Sequence, residues 1–322
     1  MEEKLVKIIN EMADYLNIAQ MKKLQEVLIK NLSDARPEKE QISNEEYLKM
    51  FIEAKQIEGC SARTLQYYQV TIDHLLKNTD TMIRKITTDE IRTYLAEYQQ
   101  RNNCSKVTVD NVRRNISSFF SWLEEEDYIL KSPMRRIHKI KTKQPVKEII
   151  SDEVIERLRD NCRCSRDLAM IDLLYSTGIR VGELVGLNIS DIDFEERECV
   201  VYGKGDKERR VYFDAKAKLH LQNYINSRID TNPALFVTLD SPYERLKISG
   251  VEIRVRELGR KLNIEKIHPH KFRRTMATRA IDKGMPIEQV QKILGHSQIG
   301  TTMQYAIVNQ NNVKTSHRRY IA

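Results

Sequence analysis

Apolar side chains recur every three to four residues along most of this chain, the spacing that predicts amphipathic helices. In residues 4–32 they form two stripes, Leu5, Ile8, Ile9, Met12 and Leu16, then Met21, Leu24, Leu28 and Leu32, which read as a helical hairpin or two short helices joined around Asn17. Narrow apolar faces of this kind are marginal alone in water, so the segment is expected to pack on the next domain or on the same element of a second copy. A polar stretch from Ser33 to Gln41 separates it from the next helical block. Residues 43–130 repeat the helical pattern four times, each start marked by a capping residue: Ser43 with Glu46, Ser61, Thr87 with Glu90, and Ser105. Four such helices suit a small bundle. The last of them carries Val109, Val112, Ile116, Phe119, Phe120 and Leu123 as its core stripe.

Residues 198–202 and 209–213 read instead as two strands around the turn Gly203-Lys204-Gly205-Asp206-Lys207-Glu208. Helices are expected on either side: one after Ser151-Asp152-Glu153, others at 216–228, 249–262 and 287–294, the last stopped by Gly295 as a left-handed cap. The chain is thus mainly α with a small antiparallel β-sheet. It divides into an N-terminal helical extension and linker (1–42), a helical domain (43–130), a basic interdomain linker (131–148), a mixed domain (149–310) and a C-terminal tail (311–322).

With 322 residues the chain has room for two domains with proper cores, and its net charge of +8 favours a polyanionic partner. The charge is unevenly spread. Residues 131–147 hold seven lysines and arginines and no acid, with Pro133 and Pro145 expected to keep the segment extended. A linker this basic repels itself unless it lies along phosphates, so Arg135, Arg136, Lys139, Lys141 and Lys143 are candidate nucleic-acid contacts that position more than they read sequence. In the helical domain Arg63, Tyr67, Lys106, Thr108, Arg113 and Arg114 fall between the apolar positions, where they can meet a sugar-phosphate backbone or base edges. The five cysteines are odd in number and scattered, which argues against a disulfide framework and for a reducing, cytoplasmic setting. The first residues carry acids rather than a basic leader, and no apolar run approaches the ~20 residues of a membrane span.

The candidate chemistry lies between Arg180 and Tyr305. His270 and Arg273 are three apart in a segment that predicts a helix opened by Pro269, so their side chains share a face. An arginine fork beside an imidazole can hold two oxygens of one phosphate. His296 follows the Gly295 stop on a turn that can reach into a cleft, and Tyr305 comes nine residues later. Upstream, Thr177 and Gly178 break an apolar helix and Arg180 opens the next, with Glu183 placed to hold its guanidinium or answer the helix dipole. Lys204 is flanked by glycines that leave its approach to a partner open. A phenol titrates near pH ~10 in water, so a nucleophilic tyrosine needs a base or nearby cations, which these residues supply. They also offset the charge that grows on a pentacoordinate phosphorus, where one donor is commonly worth roughly 3 kcal/mol. Neither a metal nor another cofactor is called for. The acidic run Asp191, Asp193, Glu195 has Glu196 where a calcium-binding loop needs glycine, and reads as a turn and strand edge.

The motifs Thr177-Gly178-Ile179-Arg180-Val181-Gly182-Glu183-Leu184, Gly203-Lys204-Gly205, His270-Lys271-Phe272-Arg273, and Leu294-Gly295-His296 followed by Thr301-Thr302-Met303-Gln304-Tyr305 resemble, in order and spacing, those of the tyrosine recombinases, the family of phage integrases and chromosome-dimer resolvases. The resemblance covers roughly residues 43–310 and is strongest after 150. It implies a two-domain clamp, with a helical core-binding domain on one side of the duplex and a mixed catalytic domain on the other. It implies Tyr305 as the nucleophile that leaves a 3′-phosphotyrosyl link and a free 5′-hydroxyl. Arg180 and Arg273 would hold the non-bridging oxygens, Lys204 would protonate the leaving 5′-oxygen, His270 would help move the tyrosine proton and His296 would complete the clamp. The implied partners are double-stranded DNA with a specific recombination site, a homo-tetramer on that DNA working through a Holliday junction, and an accessory protein or partner recombinase. The chain departs from the usual pattern at Arg274, where many relatives have histidine, and at Val181 and Gly182. Two other readings are a type IB topoisomerase-like relaxing enzyme and a DNA-binding regulator that never cuts. The full set of six residues argues against the regulator, because a binder has no use for an aligned nucleophile.

Overall fold

The computed structural model describes residues 8–13, 15–32, 42–79, 81–142, 148–203, 208–264 and 266–306. The chain falls into two compact units, Met1–Pro145 and Val146–Ala322.

The first unit contains α1 (Ile18–Leu32), α2 (Asn44–Ile57), α3 (Ala62–Lys77), α4 (Thr88–Arg101) and α5 (Lys106–Glu125). The helices from α2 onward start where the sequence places them, because each N-cap hydroxyl accepts an otherwise unsatisfied backbone N–H: Ser43 from Glu46, Ser61 from Thr64, Thr87 from Glu90 and Ser105 from Thr108. Thr87 and Glu90 complete a reciprocal capping box. The core is strongly aromatic: Phe51, Phe119 and Phe120 are fully enclosed, with Trp122 stacked on Phe119 and Tyr47 and Tyr128 packed nearby at tilted and edge-on angles. In α1, Met21, Leu24 and Leu28 are half-buried, whereas Ile18 is exposed.

The basic segment after residue 130 differs from its expectation. Up to Ile140 it is part of the bundle rather than an extended strap. Pro133–Arg136 form a 3-10 turn capped by Ser132, and Met134 is driven into the aromatic core at 4% exposure. Ile137 and Ile140 pack against the same core. The backbone is pinned as well: Thr88 donates to the carbonyl of Pro133 at 2.8 Å, Arg92 to that of Arg136 at 3.3 Å, and the Ile140 N–H to the buried Asp110 at 3.0 Å. Apolar residues at every third position, Met134, Ile137 and Ile140, outweigh the repulsion among cations that can remain in water.

The second unit is organised around α7 (Ser165–Thr177), whose Ala169, Met170, Ile171, Leu173 and Leu174 are all enclosed. A helix apolar on most of its circumference belongs at the centre of a core. It packs on α9 (Ala215–Asn226) and α11 (Pro269–Asp282), with α6 (Asp152–Asp160), α8 (Val181–Gly186) and α10 (Ile248–Lys261) completing the shell. Buried charges on α7 are paired: Asp167 with Arg166 and Arg254, Asp172 with Arg159 and His220. The sheet is antiparallel, as expected, but has three strands in the order β1 (Ile192–Asp193), β2 (Glu198–Tyr202), β3 (Glu208–Tyr212). The two-residue β1 is too short to show as alternation, and β3 starts one residue earlier than the sequence pattern suggests. Two short helices, α12 (Ile287–Leu294) and α13 (Ile299–Met303), follow. They cover a small separate cluster of Ala277, Val290, Leu294 and Tyr305. Among the described residues no helix is long and apolar enough to cross a membrane.

If the 131–140 segment is core, Met134→Ala should lower the stability of the first unit by about 2–4 kcal/mol in urea denaturation, the range for emptying an enclosed methionine site. Lys139→Ala, at an exposed position of the same segment, should change it by less than about 0.5 kcal/mol.

Candidate active site

Arg273 lies on the second turn of α11, and its side chain is enclosed, at 1% exposure. Its charge is answered by main-chain carbonyls. Nη1 donates to the carbonyl of Gly178 at 2.7 Å, and Nη2 to that of Leu294 at 2.6 Å. These are the carboxy-terminal ends of α7 and α12, where unpaired carbonyls and the helix dipole favour a cation. Both helices can stop there because Gly178 and Gly295 take the left-handed conformation, each with φ of 64°. The guanidinium is nonetheless strained electrostatically: burial, then the nearby Arg180 cation, pulls its pKa down to about 10.

Nη2 of Arg273 also donates to Nε2 of His296, at 3.1 Å. An imidazole nitrogen that accepts carries no proton, so the ring hydrogen sits on Nδ1, which donates to the Thr302 hydroxyl at 2.9 Å. Thr302 is itself enclosed in α13. Burial first, then the cations of Arg273, Arg180 and Arg209 and the neighbouring His270, push the His296 pKa down to about 4. The Tyr305 ring lies beside this imidazole, with centroids 6.1 Å apart and planes 27° from parallel. The phenol is close to enclosed at 9% exposure, and its backbone N–H donates to the carbonyl of Thr302 at 2.9 Å. Thr302 therefore fixes both the imidazole and the main chain of the tyrosine.

Arg180 caps α8 without using its side chain. Its N–H donates to Glu183 Oε2 at 2.7 Å, and Nη1 donates to Oε1 at 2.9 Å. The guanidinium is the more open of the two expected arginines, since Arg273 is enclosed. Burial would raise the Glu183 carboxyl, but hydrogen bonds from Arg209 and from the Arg180 backbone hold it below the usual carboxylate range. His270 is exposed on the first turn of α11 and acts electrostatically on His296. Arg180, His270, Arg273, His296 and Tyr305 thus come together from α8, α11 and the turns after α12 and α13. Lys204 lies outside the described residues.

Arg274 is one of the positions at which the chain departs from the pattern it resembles. Its Nε is buried without a hydrogen-bond partner. Burial lowers its pKa, while Tyr305 and Glu148 act in the opposite sense, which puts the guanidinium within electrostatic reach of the phenol. Neither Thr302 nor Arg209 stands out from the sequence as a site residue. The alternation Arg209, Val211, Phe213 is a signal for the arginine, since it places Arg209 on the apolar face of the strand, where a charge needs a buried acid.

A second feature lies on the first unit. Arg63, Tyr67, Asn111, Arg114 and Asn115 line a shallow groove of about 350 Å³ between α3 and α5. Arg63, Tyr67 and Lys106 are exposed, and Arg114 is 60% exposed. Arg113 differs: its side chain is only 12% exposed and donates to Asp110 at 2.8 Å. Burial opposes it, but hydrogen bonds from Arg113, the Ile140 N–H and Arg114 hold the Asp110 carboxyl at about 2. Arg113 is thereby committed to docking the 131–140 segment. In that segment Arg136, Lys139 and Lys141 are exposed, Arg135 pairs with Glu124, and Lys143 lies outside the described residues.

Residues 148–312 match the model of the phage integrase family, and residues 47–130 that of the phage integrase N-terminal SAM-like domain. The chain is 31% identical over 296 residues to tyrosine recombinase XerC of Leptospira interrogans, covering 88% of this chain and 95% of that one. It is 29% identical over 293 residues to tyrosine recombinase XerC of Oceanobacillus iheyensis, covering 85% and 95%. Its fold is similar to that of the Tn1549 transposon integrase in complex with a circular intermediate DNA, with a TM-score of 0.70, 19% identity and coverage of 85% and 99%. It is also similar to a lambda integrase dimer bound to a core site, with a TM-score of 0.68, 17% identity and coverage of 88% and 85%.

The hydrogen-bond pattern requires a neutral His296, and this has a pH signature. A folded-state pKa near 4 against 6.5 means that the unfolded chain takes up a proton in that window and the folded chain does not. The contribution to stability is complete above pH 6.5 and is lost as pH falls toward 4. Imidazole NMR should place the His296 midpoint near 4; an ordinary midpoint near 6.5 would mean that the Arg273 contact is not kept in solution.

Proposed function

The chain belongs to the phage integrase family of tyrosine recombinases, and from that premise we propose that it cuts and rejoins DNA at a specific recombination site through a covalent phosphotyrosine. The observation that carries this reading is the stack of Tyr305 on an imidazole that is itself hydrogen-bonded to the buried Arg273.

In this reading the Tyr305 oxygen attacks phosphorus, the bond from phosphorus to the 5′-oxygen breaks, and a 3′-phosphotyrosyl link forms. His270 helps take the phenolic proton, and Lys204 protonates the departing 5′-oxygen. Arg180 and Arg273 meet the non-bridging oxygens, and His296 completes the clamp. A fixed donor works here because it faces the charge only as that charge develops, so it stabilises the transition state more than the ground state. The phosphotyrosine keeps the energy of the broken diester. A 5′-hydroxyl from another strand reverses the step with no nucleotide consumed.

The second unit supplies this chemistry. Residues 43–130 act as the core-binding domain, with Arg63, Arg114 and the adjacent asparagines facing the duplex, and Arg136, Lys139 and Lys141 holding phosphates beside it. Asparagine and arginine suit base edges in the major groove, whereas the lysines neutralise backbone charge. Strand exchange between two sites requires copies of the chain to be paired on DNA, so a homo-tetramer, with or without an accessory protein or partner recombinase, is the assembly that fits.

Tyr305→Phe should abolish an SDS-resistant protein–DNA adduct on nicked duplexes that the wild-type chain enriches from a random-sequence pool, while binding to those duplexes persists. Binding without adduct in the wild type would instead indicate a regulator, and relaxation of any plasmid regardless of sequence a topoisomerase. Separately, the combined change of Arg136, Lys139 and Lys141 to alanine should weaken binding uniformly across sequences and reduce the salt slope by up to about three; a loss confined to one sequence would contradict a phosphate-holding role.

A further inference from the structure

Arg209 sits on β3, paired across the sheet with Val201 and on the same strand face as the enclosed Val211. Its side chain is 11% exposed, and all three guanidinium nitrogens are used. Nη1 and Nη2 donate to Glu183 Oε1 and Oε2 at 2.6 and 2.7 Å, a two-pronged pair, and Nε donates to the carbonyl of Ile293 at 2.9 Å. The first contact reaches the carboxylate that also receives the backbone and the guanidinium of Arg180. The second reaches the last turn of α12, one residue before the Leu294 carbonyl that binds Arg273 and three before His296. The aliphatic stem lies against Gly295: a Cβ built there would stand 2.9 Å from the Arg209 Cδ. The missing side chain at that position thus gives the arginine its passage as well as the helix its left-handed stop.

We propose that Arg209 is a positioning residue that locks Arg180, through Glu183, to the end of α12, and so sets the place of His296 relative to both phosphate-facing arginines. The proposal rests on the recombinase reading for its catalytic consequence, but its geometry does not. Two segments from different parts of the chain, at 178–183 and 293–296, are bridged by the hydrogen bonds of Arg273 and of Arg209. Arg273 faces the reacting phosphate in that reading. Arg209, whose three nitrogens each hold a protein acceptor and two of which are fixed on Glu183, is the one whose work is to hold the frame. A planar fork with a third donor at Nε fits this task and an ammonium does not, because lysine cannot engage both carboxylate oxygens and a carbonyl in fixed directions. Misplacement of a reacting group by about 1 Å is enough to cost roughly hundredfold in rate.

The test compares the wild type with Arg209→Lys, Arg209→Gln, Glu183→Gln and the Arg209→Gln/Glu183→Gln double variant. Covalent adduct formation is measured at saturating protein on the same enriched nicked duplexes, alongside DNA affinity. The expected result is a cleavage rate lower by about tenfold to hundredfold in both Arg209 variants, with affinity within about twofold of wild type. The double variant should lose no more than the worse single one, since both changes break the same link; it also removes the stranded buried carboxylate, so it remains informative if Arg209→Gln folds poorly. A second readout needs no DNA. The groups facing His296 are Arg273, Arg180, Arg209 and His270, with Thr302 on Nδ1 and Tyr305 on the ring face. Loss of the Arg209 cation should raise the His296 midpoint in Arg209→Gln, and Arg209→Lys should not restore cleavage even though it restores charge.

Wild-type cleavage by Arg209→Lys, losses that multiply in the double variant, or a defect confined to affinity would each overturn the proposal. A wild-type chain that forms no adduct would sink the recombinase reading instead. The His296 titration would then still decide whether Arg209 sets the imidazole's surroundings.

Discussion

A guanidinium taken almost wholly out of water has to find its compensation inside the protein, and the second unit is arranged to give it to Arg273. Stranding such a charge would cost several kcal/mol. The compensation comes from two helix ends that converge on it, those of α7 and α12, whose last carbonyls are turned inward by left-handed glycines. Because those helices are far apart in sequence, the arginine can be satisfied only when the core around α7 is complete. The same guanidinium then fixes the proton of His296 on one nitrogen, and Thr302 carries that constraint to the backbone of Tyr305. The order of the site therefore descends from the packing of the core.

What can be read from the sequence depends on the range of the interactions concerned. Helix starts at Ser43, Ser61, Thr87 and Ser105 and the stops at Gly178 and Gly295 depend on neighbours three to five residues away, and the structure has them at the positions the pattern predicts. Arg180 with Glu183 is legible for the same reason. The strand alternation flags Arg209 as inward-facing, but its partners are not legible, because they lie 26 and 84 residues away. Thr302 is visible in the sequence only as part of a motif; its bond to His296 depends on how α13 folds back. The segment after residue 130 misleads for a different reason. Its charge is obvious in composition, but Met134, Ile137 and Ile140, set among four lysines and arginines in 131–140, decide its conformation.

Asp110 shows how a polar contact can make that docking specific. It is enclosed, receives Arg113 and Arg114 from its own helix, and accepts the N–H of Ile140. The apolar side chains provide the attraction, whereas the carboxylate sets the register, since a slip by one residue would leave a buried anion short of a donor.

The charge balance at the site has a further meaning. Among the described residues, Arg180, Arg209 and Arg273 are gathered near one carboxylate, that of Glu183, and each of the first two depresses the basicity of the third. The protein by itself therefore gathers more positive charge here than its own carboxylate balances, and folding alone bears the mutual repulsion. An anion seated among those groups relieves it, so occupancy and resistance to heat are two faces of one free energy. Stripping the chain of polyanions during purification would take away a stabiliser as well as a ligand.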